Sequence, residues 1–178
     1  MTTSVLQPGQ DFQPLTVSKL GGGSLTLGKP AEGFEWQLIV VYRGKHCPIC
    51  TRYLGEFNDA LAEFNKAGVE VVAVSADSEA RATAQIAEVN PDFSVGYDLS
   101  IEQMQQLGLF ISGPRLGMDA ERPFAEPGLF VINGEGKLQI IDISNVPFAR
   151  PSVRSLVMGI NFLRSRAEAF PINGTYSA

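Results

Sequence analysis

The strongest pattern in the chain is Trp36-Gln37-Leu38-Ile39-Val40-Val41-Tyr42, an almost unbroken apolar, β-branched run. Its length and composition predict a central strand buried on both faces. After the short turn Arg43-Gly44-Lys45-His46, the residues Tyr53, Leu54, Phe57, Leu61 and Phe64 recur at three- and four-residue spacing. That period predicts a helix from about Pro48 to Ala67 with one buried face. Pro48 suits the first helical turn, where its missing N–H leaves nothing unpaired, and Gly68 suits the position just past the end. Val69 to Ala76 reads as a second buried strand, and Ser78 as the N-cap of a helix that Asn90-Pro91 stops. Phe93 to Tyr97 is strand-like, Ile101 to Leu107 a short helix closed by Gly108, and residues 112–127, with three prolines and two glycines, a loop. Gly128 to Ile132 and Leu138 to Ile143 read as strands joined by the turn Asn133-Gly134-Glu135-Gly136. Val153, Leu156, Val157, Ile160 and Leu163 stripe a last helix that opens near Pro151. At the front, Leu15-Thr16-Val17 and Leu25-Thr26-Leu27 flank a Gly-rich turn, which predicts a hairpin covering one end of the larger fold.

Early strands alternate with helices, which demands parallel crossovers, and the late hairpin adds an antiparallel pair. The expected class is α/β: a central mixed β-sheet flanked by helices, with an N-terminal β-hairpin extension over residues 1–30 and a C-terminal tail at 171–178. No repeat or linker divides the 178 residues, so one domain is expected. With 44% hydrophobic and 19% charged residues the chain can build a core and is not a disordered segment. No apolar run reaches the roughly 18 residues of a membrane span, so no membrane association is expected. The first residues, MTTSVLQPGQDF, carry neither a basic start nor an apolar stretch of the secretory kind. A net charge of −5 is a poor match for nucleic acid. These features point to the cytoplasm.

The chemistry is carried by two cysteines, Cys47 and Cys50, separated by Pro48 and Ile49. A bridge across two residues closes almost no loop and adds little chain-entropy stabilisation. The cysteines therefore serve redox chemistry, metal binding, or packing. Pro48 and the turn context do not suit a core helix interior, which argues against packing. Two cysteines and one histidine cannot assemble four zinc ligands in one chain, which leaves only a site shared between subunits. No metal and no cofactor are expected. The pair lies where a buried strand meets a helix N-terminus, whose free N–H groups and dipole favour a thiolate over a thiol. The second cysteine is close enough to resolve a mixed disulfide. His46, beside Cys47, can lower the thiolate pKa as an imidazolium, relay a proton as a neutral base, or sit in the turn and tune the potential. Lys45 and His46 add potential positive charge on the approach side, and Arg43 is a further residue expected to tune the site.

Strand, Cys-x-x-Cys, helix, a later proline before a strand, and a final hairpin and helix together resemble the thioredoxin fold. More closely the chain resembles the alkyl hydroperoxide reductase/thiol-specific antioxidant family, the peroxiredoxins and their relatives. The segments that carry the likeness are Leu6-Gln7-Pro8-Gly9 to Pro14, Val40 to Gly44 leading into Cys47-Pro48-Ile49-Cys50, Val71 to Asp77, Gly128 to Asn133, and Phe148-Ala149-Arg150-Pro151-Ser152. They span nearly the whole chain, about 5–165. The resemblance implies a thioredoxin-like fold and thiol redox activity.

Two departures qualify it. Peroxiredoxins place a Thr three residues before the peroxidatic cysteine; laid on this chain, Cys50 takes the peroxidatic position and Cys47 the Thr position. The family's arginine ahead of the late strand is matched by Pro127. A Cys-x-x-Cys facing a proline is the thioredoxin arrangement, which implies a cis Glu126–Pro127 bond with the ring against the cysteines and the Glu126 backbone turned outward to pair with a substrate. Glu126 would then add negative charge near the thiols. Arg150 matches the family's second arginine, or is a surface charge at the helix start.

The expected function is thiol–disulfide exchange, with Cys47 attacking a disulfide and Cys50 releasing the product. The alternative is thiol peroxidase chemistry on hydrogen peroxide or organic hydroperoxides at Cys50, resolved by Cys47. A redox-responsive binding protein without turnover is the third reading. Expected partners are a disulfide-bearing protein or small-molecule disulfide, or a hydroperoxide, with a thioredoxin- or glutathione-type reductant; a homodimer is compatible with the sequence.

Overall fold

The strand predicted as central lies inside the sheet, paired on both sides. In the computed structural model, which describes residues 6–166 and 170–177, β3 (Trp36–Val41) pairs in parallel with β4 (Val69–Val74) on one side and antiparallel with β8 (Gly128–Ile132) on the other. The first residues read for a secretory segment, 1–5, and the last residue of the tail lie outside the described residues. β5 (Ser94–Tyr97) joins β4 in parallel, and β9 (Leu138–Ile143) closes the far edge against β8. The N-terminal hairpin, β1 (Leu15–Lys19) and β2 (Ser24–Leu27), forms as expected and lies at one end of the sheet. It extends the sheet, with β1 antiparallel to β5, giving the order β2-β1-β5-β4-β3-β8-β9. The reason is that β5 leaves its outer edge unpaired, and a paired edge satisfies backbone groups that a packed hairpin would not.

Side chains of β3, and of Tyr42 just after it, point alternately into two cores. Leu38, Val40 and Tyr42 meet α1 (Pro48–Asp59), α2 (Leu61–Lys66) and α5 (Val153–Arg164) through Leu54, Phe57, Phe64 and Ile160. Ile86 and Val89 of α3 (Glu79–Val89) pack on the same core. Ile39 and Val41 meet Leu27, Phe130 and, from α4 (Ile101–Gln106), Met104. Both faces are therefore covered, as a continuous apolar strand requires.

Two local expectations change. The helix from Pro48 breaks at Ala60, whose φ of −94° and ψ of 0° leave the helical range, so α1 and α2 are separate. Asn58 stands just ahead of the break, and its side chain accepts the Asp92 N–H at 2.8 Å, bonding a distant loop. The predicted loop 112–127 is closed by a two-stranded ribbon, β6 (Ile111–Ser112) with β7 (Phe124–Ala125), which brings both ends of the segment together.

Candidate active site

Cys47 is the N-cap of α1, with extended backbone (φ −117°, ψ 93°), and Pro48 opens the first turn. Cys50 follows within that turn. Its N–H donates to Cys47 Sγ at 3.2 Å, so the sulfur receives one of the free donors of the helix start. The two side chains form a disulfide with Cα atoms 5.2 Å apart, within the span such a bond needs. Cys50 is fully buried and Cys47 is 2% exposed.

The loop that delivers Cys47 is anchored from three elements. Asp77, just past β4, accepts the Lys45 N–H at 2.7 Å. Gln85 of α3 donates to the Gly44 carbonyl at 3.0 Å and to Thr51 Oγ1 at 2.9 Å, tying loop and α1 together. Glu126, between β7 and β8, pairs with Arg43 at 3.0 Å and accepts from Ser112 Oγ at 2.7 Å. Arg81 extends the Asp77 contact to Asp119, binding its carboxylate at 3.1 Å and its backbone carbonyl. None of Asp77, Gln85 or Ser112 follows from a motif; each is visible only once β4, α3 and β6 are placed around the loop.

The His46 ring lies 4.4 Å from that of Phe124, and neither ring nitrogen has a hydrogen-bond partner among the described residues. Burial, and after it the Arg43 guanidinium, hold His46 below its ordinary value of 6.5, so the imidazole is neutral at pH 7. This is its state beside the disulfide, where no thiolate is present to draw a proton onto the ring. The neutral proton-relay and tuning readings remain compatible with it. Arg43 also lies over the Phe124 ring at 5.1 Å, with Glu126 balancing its charge.

Arg150 is not a surface charge. Its Nη1 lies 3.6 Å from Cys50 Sγ and its guanidinium stacks over Tyr53 at 4.2 Å. It closes the head of a groove of about 220 Å³ between α1 and the segment before α5, walled also by Ile49, Tyr53 and the exposed Phe148. Sequence pattern alone marks Tyr53 only as part of a buried helix stripe; its place three residues after Cys50 puts both on one face of α1.

The expectation for Glu126–Pro127 is corrected. All described peptide bonds are trans, this one included. The Glu126 N–H donates to the Phe110 carbonyl at 2.8 Å, and the Pro127 carbonyl accepts from Ser144 at 3.0 Å. The ribbon β6–β7 already occupies the backbone donor that a docking substrate strand would use, and trans is the inherent preference of an X–Pro bond. The Glu126 carboxylate is paired with Arg43. Among the described residues no three His, Cys, Asp or Glu side chains cluster as a metal site would require.

The profile of the AhpC/TSA family matches residues 8–141. The chain belongs to that family. Among its relatives are peroxiredoxin-2 of Bos taurus, 26% identical over 171 residues covering 84% of this chain and 85% of the relative. A mitochondrial thioredoxin-dependent peroxide reductase of Bos taurus is 26% identical over 136 residues, 71% of this chain and 50% of that one. A peroxiredoxin 6 of Arenicola marina superposes with a TM-score of 0.76 at 18% identity, covering 94% of this chain and 79% of that one. A peroxiredoxin-like protein of Aquifex aeolicus gives 0.71 at 19%, covering 89% and 88%. The fold is thus the thioredoxin-like fold in its peroxiredoxin form, and the protein is an oxidoreductase of thiol chemistry whose redox pair is Cys47 and Cys50.

Proposed function

We propose that the protein cycles between a Cys47/Cys50 dithiol and the Cys47–Cys50 disulfide, oxidised by one substrate and reset by thiol–disulfide exchange with an external dithiol. The observation that carries this is the disulfide held at the N-terminus of α1. In the disulfide-exchange reading, a thiolate of the pair attacks a substrate disulfide, one substrate sulfur leaves as thiol, and the second cysteine displaces the other. Two electrons pass to the substrate and the enzyme keeps the disulfide. The reducing half of the cycle has this same chemistry whatever the oxidant. A reducing compartment, the cytoplasm, suits it.

A second reading concerns the oxidant, and the position of Arg150 favours it. A guanidinium at Cys50 Sγ favours the thiolate there, while Arg43 is balanced by Glu126. Cys50 would attack a hydroperoxide O–O bond, becoming a sulfenic acid and releasing an alcohol or water. Cys47 would then displace water from it to give the disulfide. The Glu126 N–H, one of the two backbone groups expected to pair with a substrate strand, is already bonded to the Phe110 carbonyl. The peroxide-reductase name of one relative agrees with this reading, and a thioredoxin-type dithiol is the corresponding reductant.

The test compares loss of free thiol from the reduced protein with hydrogen peroxide and with a model disulfide. Peroxide faster, with Cys47→Ser trapping a sulfenic acid at Cys50, supports the second reading. Disulfide faster, with Cys50→Ser holding a mixed disulfide through Cys47, supports the first. Neither oxidant faster than with a free thiol overturns both.

A further inference from the structure

We infer that Tyr53 is a positioning residue that holds the Arg150 guanidinium against Cys50 while leaving its charge uncancelled. Two separate contacts do the holding. The guanidinium lies over the Tyr53 ring at 4.2 Å, and the Tyr53 hydroxyl donates to the Pro151 carbonyl at 2.7 Å. The ring fixes the end of the arginine, and the hydroxyl fixes the backbone next to it. Cys50 and Tyr53 stand three residues apart on α1, so sulfur and ring share a face and the arginine spans both.

The choice of an aromatic ring has an electrostatic consequence. A carboxylate at this place would hold an arginine equally well but would neutralise it. A ring attracts the cation through its quadrupole and keeps the whole positive charge available to the sulfur. Among the described residues no carboxylate lies within 4 Å of Arg150. The charges that act on it from further away are Glu56, Arg43 and Arg52, and Asp142 acts on Tyr53. Burial pushes the Tyr53 hydroxyl far above its ordinary range, so it stays a neutral donor and never becomes an anion beside the thiolate.

The experiment reads the pH midpoint of Cys50 alkylation in a Cys47→Ser background. It deepens the hydroperoxide reading, but no peroxide enters the assay, so either can fail alone. Tyr53→Leu should raise the midpoint by about one unit, a roughly tenfold slower alkylation below it. Arg150→Gln should do the same, and the double variant should add nothing further. Tyr53→Phe, which keeps the ring and loses only the hydroxyl, should slow alkylation by about twofold. Tyr53→Met, similar in bulk and without a π face, repeats the test should Tyr53→Leu fold poorly. Phe57→Leu is the packing control, since Phe57 contacts Tyr53 edge-on at 5.0 Å and is not in contact with Arg150 through any described interaction; it should lower stability and leave the midpoint in place. The inference is overturned if Arg150→Gln moves the midpoint and the Tyr53 variants do not, or if Phe57→Leu moves it as far as Tyr53→Leu.

Discussion

Gly44→Ala should destabilise this protein by straining the active-site loop and displacing Asp77. Gly44 has a φ of 127°, in a region L side chains rarely adopt, and an alanine there costs about 1–2 kcal/mol in backbone strain alone. Its Cβ would stand 2.6 Å from Asp77 Oδ2 and 2.8 Å from the carboxyl carbon, so the carboxylate must move. Asp77 is 5% exposed and accepts the Lys45 N–H at 2.7 Å. Losing a hydrogen bond to a charged acceptor costs about 1.5–3 kcal/mol. The sum is about 2.5–5 kcal/mol, a large share of the roughly 5–15 kcal/mol that holds a domain of this size. The assay is urea denaturation of the oxidised protein, run as a double-mutant cycle with Asp77→Ala. With the carboxylate gone, Gly44→Ala should cost only its strain, so the two substitutions should couple by about 1.5–3 kcal/mol. Additive costs, or a total below about 1 kcal/mol, would refute the claim that Asp77 holds this loop.

Two further outcomes follow from the same neighbourhood. Because His46 binds its proton less readily folded than unfolded, its contribution to stability is fully present above about pH 6.5 and is lost as pH falls below that value. Denaturation midpoints at pH 7.5 and 5.5 (roughly one unit either side) should therefore differ more in the native protein than in His46→Gln; an equal difference would contradict the assignment. Glu126→Gln leaves the mostly buried Arg43 without its countercharge and should cost about 2–4 kcal/mol in urea denaturation, whereas a cost near zero would mean the pair does not anchor the loop.

The parts of this structure legible from sequence are those set by local pattern. The run Leu38 to Val41 could only be a strand covered on both faces, and Cys47 could only fall at a helix start, because Pro48 and the Tyr53, Leu54, Phe57 stripe fix the helix there. The parts that were not legible depend on contacts between distant residues. Asp77 reaches Lys45 from 32 positions away, and Arg150 reaches Cys50 from 100. No periodicity encodes such pairs. The same limit explains Pro127: a proline ahead of a strand is compatible with either isomer, and it was the ribbon β6–β7, built from a segment that looks like plain loop, that occupied the neighbouring backbone. The edge placement of the hairpin likewise depended on an unpaired β5, which the hairpin's own sequence does not show.

The central claim is that Cys47 and Cys50 are one redox unit that turns over. It is tested most directly by oxidising the fully reduced protein with substoichiometric steps of hydrogen peroxide or a model disulfide, counting free thiols, and then adding a dithiol reductant. The account expects two thiols lost per oxidising equivalent, an intramolecular Cys47–Cys50 disulfide in the product, and recovery of both thiols on reduction, repeatably. Loss of one thiol alone, a disulfide between chains in place of the Cys47–Cys50 bond, or a disulfide that a dithiol cannot reopen would contradict it.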